Sequence, residues 1–170
     1  MGNRVTRYRC LVADPPWKFG DSLPGKGRGA AKHYDCMPLA ELCTFELPPM
    51  LPDSWLFLWR VGSMQQEALA VARAWGFSVT SEIVWVKPQM GMGRTVRNCH
   101  EVCLVCRRGK PERKSAAVRS WFEAPRGRHS AKPERFFELV EQLTEGPYVE
   151  LFARRQRPGW VCLGAEVEQP

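Results

Sequence analysis

Two runs of consecutive apolar residues restrict the folds open to this chain more than any other feature. YRCLVA (8–13) and SWLFLW (54–59) have the length of strands, and neither alternates with polar residues. A strand that is apolar on both sides must be covered on both faces, which is typical of parallel sheets flanked by helices. Further segments of strand length and character are SEIVWV (81–86), EVCLVC (101–106), YVELFA (148–153) and WVCLG (160–164).

Helical patterns separate these strands. Apolar residues recur at helical spacing over residues 63–75 and stop at Gly76, and a second such pattern covers residues 133–143 with proline in its first turn. The segment MPLAELC (37–43) favours a shorter helix. Strands that alternate with helices predict an α/β fold, with a mainly parallel, doubly wound sheet flanked by helices. The 170 residues suit a single domain, 1–170.

The chain has no run of about 18 or more uncharged apolar residues, and it begins with the polar and basic segment MGNRVTRYRC. We therefore expect no membrane-spanning helix, no secretory signal and a cytoplasmic location. The seven cysteines are an odd number without the spacing of a disulfide-rich scaffold, so we expect reduced thiols.

Zinc is an alternative use of some of these cysteines, because Cys99, His100, Cys103 and Cys106 contain a C-x-x-C. On a buried strand, however, Cys103 and Cys106 would point to opposite faces, and no second pair of ligands lies at a fitting distance. We therefore predict buried structural thiols and no metal site.

Positive charge is concentrated in one part of the chain. Ten Lys or Arg and three Glu lie from Arg107 to Arg135, and this excess equals the net charge of the whole chain, +7. Such a segment suits the phosphate backbone of a nucleic acid. A solvated surface loop that only aids solubility is the alternative.

The first strand is followed by the turn Asp14-Pro15-Pro16-Trp17. Proline has no N–H and a fixed φ, so this turn is a stiff strand exit whose carbonyl groups we expect to stay outside the sheet. In doubly wound sheets, ligands bind beyond the carboxyl ends of the strands, and the turn lies at such an end. A proline-rich turn around a core tryptophan is the structural alternative.

The groups of this turn match what an aromatic amine, such as N6 of adenine, needs in order to react. The lone pair of the amine is delocalised into the ring, and acceptors that hold both amine hydrogens would turn it toward an electrophile. The Asp14 carboxylate and a free Pro15 carbonyl could be those acceptors, and Trp17 could offer a flat face for stacking. This interpretation requires a cavity beside Asp14 and a carboxylate that is not buried in an ion pair.

Seven blocks, in order along the chain, carry a resemblance to a known family: ADPPW (13–17), YDCMPLAE (34–41), WLFLW (55–59), WGFSVTSEIVWVK (75–87), RNCHEVCLV (97–105), SAKP (130–133) and ELFARRQRPGW (150–160). With them the chain resembles the N6-adenine methyltransferases typified by the catalytic subunit of the eukaryotic messenger-RNA adenosine methyltransferase, with bacterial and phage members. The resemblance extends from Tyr8 to Glu166. It implies a Rossmann-like, S-adenosylmethionine-dependent fold in permuted order, with the catalytic motif before the cofactor motif.

The resemblance also implies roles for individual residues. The catalytic turn would consist of Asp14, Pro15, Pro16 and Trp17. The cofactor S-adenosylmethionine would be bound by Asp14, Lys132, Phe152, Arg154, Gly164 and Glu166. Lys132 would bind its carboxylate, a role that suits a cation beside the start of a helix. The target base would be bound by Tyr34, Lys87, Asn98, His100 and Glu101, with the Gly-rich loop 20–33 as a gate.

The implied reaction is direct transfer of the sulfonium methyl group to adenine N6 in nucleic acid, with DNA preferred over RNA. In a duplex the adenine would be flipped out of the stack, and loops 20–33 and 88–98, with the basic segment 107–128, would hold the phosphates.

The alternative is a non-catalytic, nucleic-acid-binding subunit of a methyltransferase complex. Ala165, where the family usually has asparagine, and the few residues before the first strand keep this alternative open. A partner chain, in a homo- or heterodimer, could then complete the contacts to the adenine ring of the cofactor.

Overall fold

The computed structural model describes residues 6–18, 36–93, 95–127 and 131–164. The strands are β1 (Tyr8–Ala13), β2 (Met50–Arg60), β3 (Ser78–Val86), β4 (His100–Arg108), β5 (Trp121–Glu123), β6 (Tyr148–Leu151) and β7 (Trp160–Leu163). The helices are α1 (Leu39–Cys43), α2 (Gln65–Ala74) and α3 (Glu134–Leu143).

In the described part of the chain, all strands belong to one seven-stranded sheet in the order β5-β3-β4-β2-β1-β6-β7. The pairs β1–β2, β1–β6, β6–β7 and β3–β5 are parallel, and β4 is antiparallel to both of its neighbours. The predicted α/β fold with a mainly parallel sheet is therefore confirmed. In the part described, no helix is both long enough and apolar enough to cross a membrane.

Helices cover both faces of the sheet, as the continuous apolar runs require. Alternate residues of β1 point to opposite faces: Cys10 and Val12 belong to an apolar cluster with α3, and Leu11 and Ala13 to a cluster with α1 and α2. Cys103 and Cys106 on β4 are likewise buried on opposite faces, as predicted. Within the described residues, no group of His, Cys, Asp or Glu could hold a metal ion.

The edge of the sheet at the carboxyl end of β1 brings together the ends of several strands. Because β2, β3 and β6 run in the same direction as β1, they also end there, whereas the antiparallel β4 begins there at His100. This topology collects Asp14, Lys87, His100 and Phe152 at one edge although they are far apart in sequence. We call it the carboxyl edge.

The antiparallel direction of β4 corrects the prediction for the basic segment. Its nine residues span about 27 Å, at ~3.4 Å per residue, so Arg107 and Arg108 lie at the opposite edge of the sheet. There Arg107 is paired with Ser78, the first residue of β3, and the backbone N–H of Lys110 donates to Asp53 Oδ1 at 2.7 Å. The prediction that the whole segment 107–128 lies where it could hold phosphates near Asp14 is therefore wrong for its first part.

Gly164 follows β7 in a place where a side chain has no room. A Cβ at this position would lie 2.1 Å from the carbonyl oxygen of Ala153 and 2.8 Å from its nitrogen. We expect Gly164→Ala to lower the free energy of unfolding by about 2 kcal/mol, because backbone atoms must move. Urea denaturation measures this, with Gly62→Ala as the control, since a Cβ on Gly62 would meet nothing within 4 Å. Equal stabilities of the two variants would contradict the prediction.

Candidate active site

A cavity of about 550 Å³ opens at the carboxyl edge, directly beside the turn that follows β1. It is lined by residues from the ends of β2 and β6, the start of β4 and the segments around them. Of the residues predicted for the site, those that line it are Asp14, Pro15, Pro16, Trp17, Lys87, Asn98, His100, Glu101, Lys132, Phe152 and Arg154. The cavity that the sequence interpretation requires beside Asp14 is therefore present.

Gly164 is a described residue that was predicted for the site and does not line this cavity. Gly164 lines a second cavity of about 570 Å³, between the segment 45–49 and the ends of β6 and β7. Phe152 borders both cavities and has a positive φ of 59°, an uncommon conformation for a residue with a side chain. Tyr34, Glu166 and the loop 20–33 lie outside the described residues.

The backbone of the Asp-Pro-Pro-Trp turn folds back on itself. The N–H of Trp17 donates to the carbonyl oxygen of Pro15 at 2.9 Å, and the N–H of Met37 donates to that of Pro16 at 2.8 Å. The prediction that the Pro15 carbonyl is free is therefore wrong, because the turn itself supplies a donor two residues later. A carbonyl oxygen has two lone pairs, so Pro15 retains the capacity to accept one further hydrogen bond.

Trp17 is a core residue, with only 5% of its surface exposed. Its indole Nε1–H donates to the carbonyl oxygen of Trp59 at 3.1 Å, and the ring packs in the apolar cluster with α1 and α2. The prediction of an open stacking face is therefore wrong. The small exposed part of Trp17 still borders the cavity. Its buried indole anchors the turn in the apolar cluster.

Asp14 carries an ion pair that the sequence interpretation did not expect. Its Oδ2 accepts a hydrogen bond from the Lys132 ammonium at 2.7 Å, with 21% of the Asp14 side chain and 10% of the Lys132 side chain exposed. The expectation of a carboxylate outside an ion pair is therefore wrong for Oδ2, and the interpretation of the turn as an amine site depends on the other oxygen, Oδ1. With the described residues, Oδ1 of Asp14 makes no hydrogen bond, which leaves one carboxylate oxygen beside the cavity.

The ion pair is part of a chain of alternating charges along the cavity wall. Lys132 also contacts Glu101 Oε2 at 3.1 Å, and Lys87 pairs with the other oxygen of Glu101. The order is Asp14, Lys132, Glu101 and Lys87, and the four charges sum to zero. The two ammonium groups also lie over aromatic rings, Lys132 at 4.9 Å from the centre of Trp59 and Lys87 at 4.6 Å from that of Trp85.

The pKa values of Glu101 and Lys132 favour the charged form of each group. Burial alone would raise the pKa of the Glu101 carboxyl, but Lys132 and Lys87 hold that pKa below its usual value. Burial alone would lower the pKa of the Lys132 ammonium, and Asp14 and Glu101 outweigh this effect and raise it. Both groups are therefore charged at neutral pH.

Lys132 is thus engaged with two carboxylates, which limits its predicted role as an anion site. An ammonium has three donors, so one remains beyond the bonds to Asp14 and Glu101. The first turn of α3 does not provide another anion site, because it holds the acidic Glu134. This carboxylate is paired with Arg155 and Arg157. Arg126, which the sequence interpretation did not select, supplies another cation to the cavity wall.

Glu150 in β6 is a second residue that the sequence interpretation missed, although an acid inside the apolar strand YVELFA is a visible signal. Burial raises the pKa of its carboxyl to about 7, with Arg157 opposing and Asp14 adding to the shift. The thiol of Cys162 lies 4.0 Å from its Oε2. Glu150 is therefore a partly buried acid, and no ion pair joins it to a cation of the described residues.

The raised pKa of Glu150 predicts a pH-dependent stability. The folded protein keeps a proton on Glu150 that the unfolded chain, with a pKa near 4.5, has released, so stability should fall as the pH rises from about 4.5 to 7. We expect Glu150→Gln to remove this fall and to stabilise the protein at pH 8 by about 2 kcal/mol. Urea denaturation at pH 5 and pH 8 measures it, with the exposed Glu138→Gln as the control. Parallel pH profiles for Glu150→Gln and the parent would contradict the prediction.

Comparisons with known proteins agree with this architecture. The family model described as MT-A70 matches residues 8–166. The N(6)-adenosine-methyltransferase catalytic subunit METTL3 of Homo sapiens is 27% identical over 174 residues, which cover 95% of this chain and 28% of that protein. The N(6)-adenosine-methyltransferase MT-A70-like of Arabidopsis thaliana is 29% identical over 171 residues, which cover 94% of this chain and 24% of that protein.

The chain spans about a quarter of the length of these curated relatives. Along this chain, the match to the family model runs from the first residue of β1 to beyond β7. It includes every described strand and helix. The resemblance read from the seven sequence blocks is confirmed by this match. The chain therefore belongs to the MT-A70 family.

Proposed function

We propose that this chain transfers a methyl group from S-adenosylmethionine to N6 of adenine in nucleic acid. The observation that carries the proposal is the position of Asp14 and Pro15 on the wall of the cavity at the carboxyl edge. It is supported by membership of the MT-A70 family and by the curated relatives, which are named N(6)-adenosine-methyltransferases.

The residues of the cavity fit the chemical groups of S-adenosylmethionine. The cofactor carries a carboxylate, an ammonium group and a sulfonium, and the cavity wall holds both signs of charge, with Asp14 and Glu101 as acids and Lys132, Arg126 and Arg154 as cations. A volume of about 550 Å³ lies within the usual range for cofactor sites, ~300–1,000 Å³. When bound, the cofactor would supply an electrophilic methyl group.

The chain's own contribution would be to position the amine and its lone pair. Asp14 Oδ1 and the second lone pair of the Pro15 carbonyl would each accept one hydrogen of the N6 amine, so that the nitrogen lone pair points into the cavity. The anchored Trp17 and the two prolines would keep these acceptors in place. Transfer of the methyl group would leave the nitrogen positively charged and therefore strongly acidic, so it would lose one proton to water without a dedicated base.

The ion pair with Lys132 sets the strength of Asp14 as an acceptor. Lys132 is shared between Asp14 and Glu101, so its charge is divided between two carboxylates. Lys132 has one donor beyond these two contacts, which could hold the cofactor carboxylate. A weaker contact between Lys132 and Asp14 would make the Asp14 carboxylate a stronger acceptor for the amine.

We propose DNA as the preferred substrate. This choice rests on analogy with the bacterial and phage members of the family. RNA is the second candidate, because the curated relatives are named for adenosine, the ribonucleoside. A non-catalytic, nucleic-acid-binding subunit is the other candidate, which the ion pair of Asp14 favours, since it occupies one oxygen of the catalytic carboxylate.

One assay separates these candidates. The protein is incubated with labelled S-adenosylmethionine and matched single- and double-stranded DNA and RNA, and the products are digested and analysed for N6-methylated nucleosides. Transfer that is greatest on DNA is expected, and transfer that is greatest on RNA would reverse the substrate preference. Cofactor binding by calorimetry without transfer to any of the four would support the non-catalytic subunit. Binding to every substrate should weaken as salt is raised.

A further inference from the structure

Large apolar side chains are exposed on the segment 88–98, beside the cavity. We call this segment the mouth loop. Arg94 lies outside the described residues and is not included. Met92 is 87% exposed, and Met90 and Val96 are each 70% exposed. Met92 also borders the cavity that would take the target base. Several large apolar side chains exposed on one short segment suggest a surface that another molecule covers.

The mouth loop is braced by its own backbone, so Met92 is held in place. The N–H of Lys87 donates to the carbonyl of Cys99 at 2.7 Å, and the N–H of Gly91 donates to that of Asn98 at 2.6 Å. A Cβ on Gly91 would lie 2.3 Å from the guanidinium of Arg126, and one on Gly93 would lie 1.8 Å from the carbonyl oxygen of Val96. The two glycines therefore permit these close approaches on either side of the exposed Met92.

The surroundings of Met92 favour nucleobases over a protein surface as the molecule that covers it. Arg97 on the loop and Arg126 against it are cations, and among the described residues neither is paired with an acid. Apolar side chains flanked by arginines suit a base stack bordered by phosphates. Methionine is one of the side chains that proteins insert between base steps.

We propose that Met92 is a wedge that enters the base stack of a duplex where the target adenine leaves it. The proposal rests on the proposed function, because the adenine has to reach the cavity beside Asp14. An adenine in a duplex must be unstacked and unpaired before it can enter such a cavity. The side chain would fill the space that the adenine vacates and so lower the cost of flipping. The substrate class that this wedge implies is double-stranded.

The test compares substrates in which the adenine is paired with substrates in which it is not. Three DNA pools carry one adenine at the centre, with flanking bases drawn from G and C alone so that neither strand holds another adenine: a matched duplex, a duplex with an abasic site opposite the adenine, and a single strand. For Met92→Ala we expect kcat/KM to fall about tenfold on the matched duplex and by less than twofold on the other two. Met92→Leu should retain the duplex activity, because leucine can also fill the gap.

The control is Val79→Ala, which shortens an exposed apolar side chain at the opposite edge of the sheet and should change none of the three rates. Equal losses of Met92→Ala on all three pools, or no loss on any, would overturn the proposal. Because Met92 is so exposed, its replacement should leave Tm unchanged.

A binding measurement keeps the wedge testable if no pool is methylated, in which case the proposed function fails separately. Fluorescence anisotropy gives the affinities for the matched duplex and for the duplex with the abasic site. The preference for the second should increase about tenfold in Met92→Ala, because the variant must unstack the paired adenine without help. An unchanged ratio of the two affinities would overturn the wedge. A Met92→Ala variant that loses self-association or a protein contact instead would also overturn it.

Discussion

Asp14→Asn is expected to lower kcat for methyl transfer about a thousandfold, the upper part of the ~10²–10³ range for loss of one preorganised polar contact to a reacting group. Asparagine keeps the shape of the side chain but removes the negative charge that would hold the amine hydrogens. It also places an N–H₂ group, or a weaker amide oxygen, against the amine. Initial rates with labelled S-adenosylmethionine at saturating nucleic acid measure the loss.

Two further measurements separate this loss from a damaged fold or cofactor site. Asp14→Asn keeps the contact between Lys132 and Glu101, so we expect the protein to lose only about 2 kcal/mol of stability, as for a hydrogen bond to a charged group. Calorimetry with the cofactor alone shows whether its affinity has changed. The matched control is Glu123→Gln, an exposed carboxyl at the end of β5, which should leave kcat unchanged. More than a tenth of the parent kcat in Asp14→Asn would contradict the proposed role.

The central strands could be predicted from the sequence because charged residues and prolines mark where their apolar runs begin and end. β1 covers the predicted residues 8–13, since arginine precedes the run and the Asp-Pro-Pro turn ends it. β5 was missed because it has three residues and gains its place by pairing with β3. The direction of β4 could not be read either, because a strand buried on both faces has the same composition whether it runs parallel or antiparallel. That direction decides where the basic segment begins.

The position of the candidate site was also predictable, and its internal contacts were not. The strand ends and the rule for doubly wound sheets lead to the cavity beside Asp14. The partner of Asp14 is Lys132, 118 residues away, and nothing local to either residue indicates their contact. The burial of Trp17 depends in the same way on Trp59, 42 residues away. Long-range contacts therefore decide which groups of a recognised motif stay available.

Lys132→Met is expected to lower the free energy of unfolding at pH 7 by about 3 kcal/mol, the lower end of the cost of removing one partner from a buried ion pair. Methionine fills the volume of the lysine stem and still packs on Trp59, so the loss would come from charge. Asp14 and Glu101 would then lose the cation that they share. Lys87 would be the cation that remains in this series of charges. Urea denaturation of parent and variant gives the difference.

The sign of the pH effect identifies the cause of this loss. In the parent, the lowered pKa of Glu101 contributes stability that is present above the unfolded pKa near 4.5 and is lost as the pH falls through the lower folded value. Without Lys132 the pKa of Glu101 rises, so the difference between parent and variant should shrink as the pH falls from 7 to 4. The double variant Lys132→Met/Glu101→Gln should recover part of the stability at pH 7, because one uncompensated charge is gone.

Lys114→Met is the matched control, because Lys114 pairs with Glu145 on the surface at 3.4 Å. An exposed pair contributes about 0–1 kcal/mol, so this variant should show a small loss that changes little as the pH falls from 7 to 4. If Lys132→Met costs no more than Lys114→Met, the alternating charges beside the cavity do not hold its wall together. The proposed control of Asp14 by Lys132 would then lose its electrostatic basis, because the ammonium would not be bound strongly enough to weaken Asp14 as an acceptor.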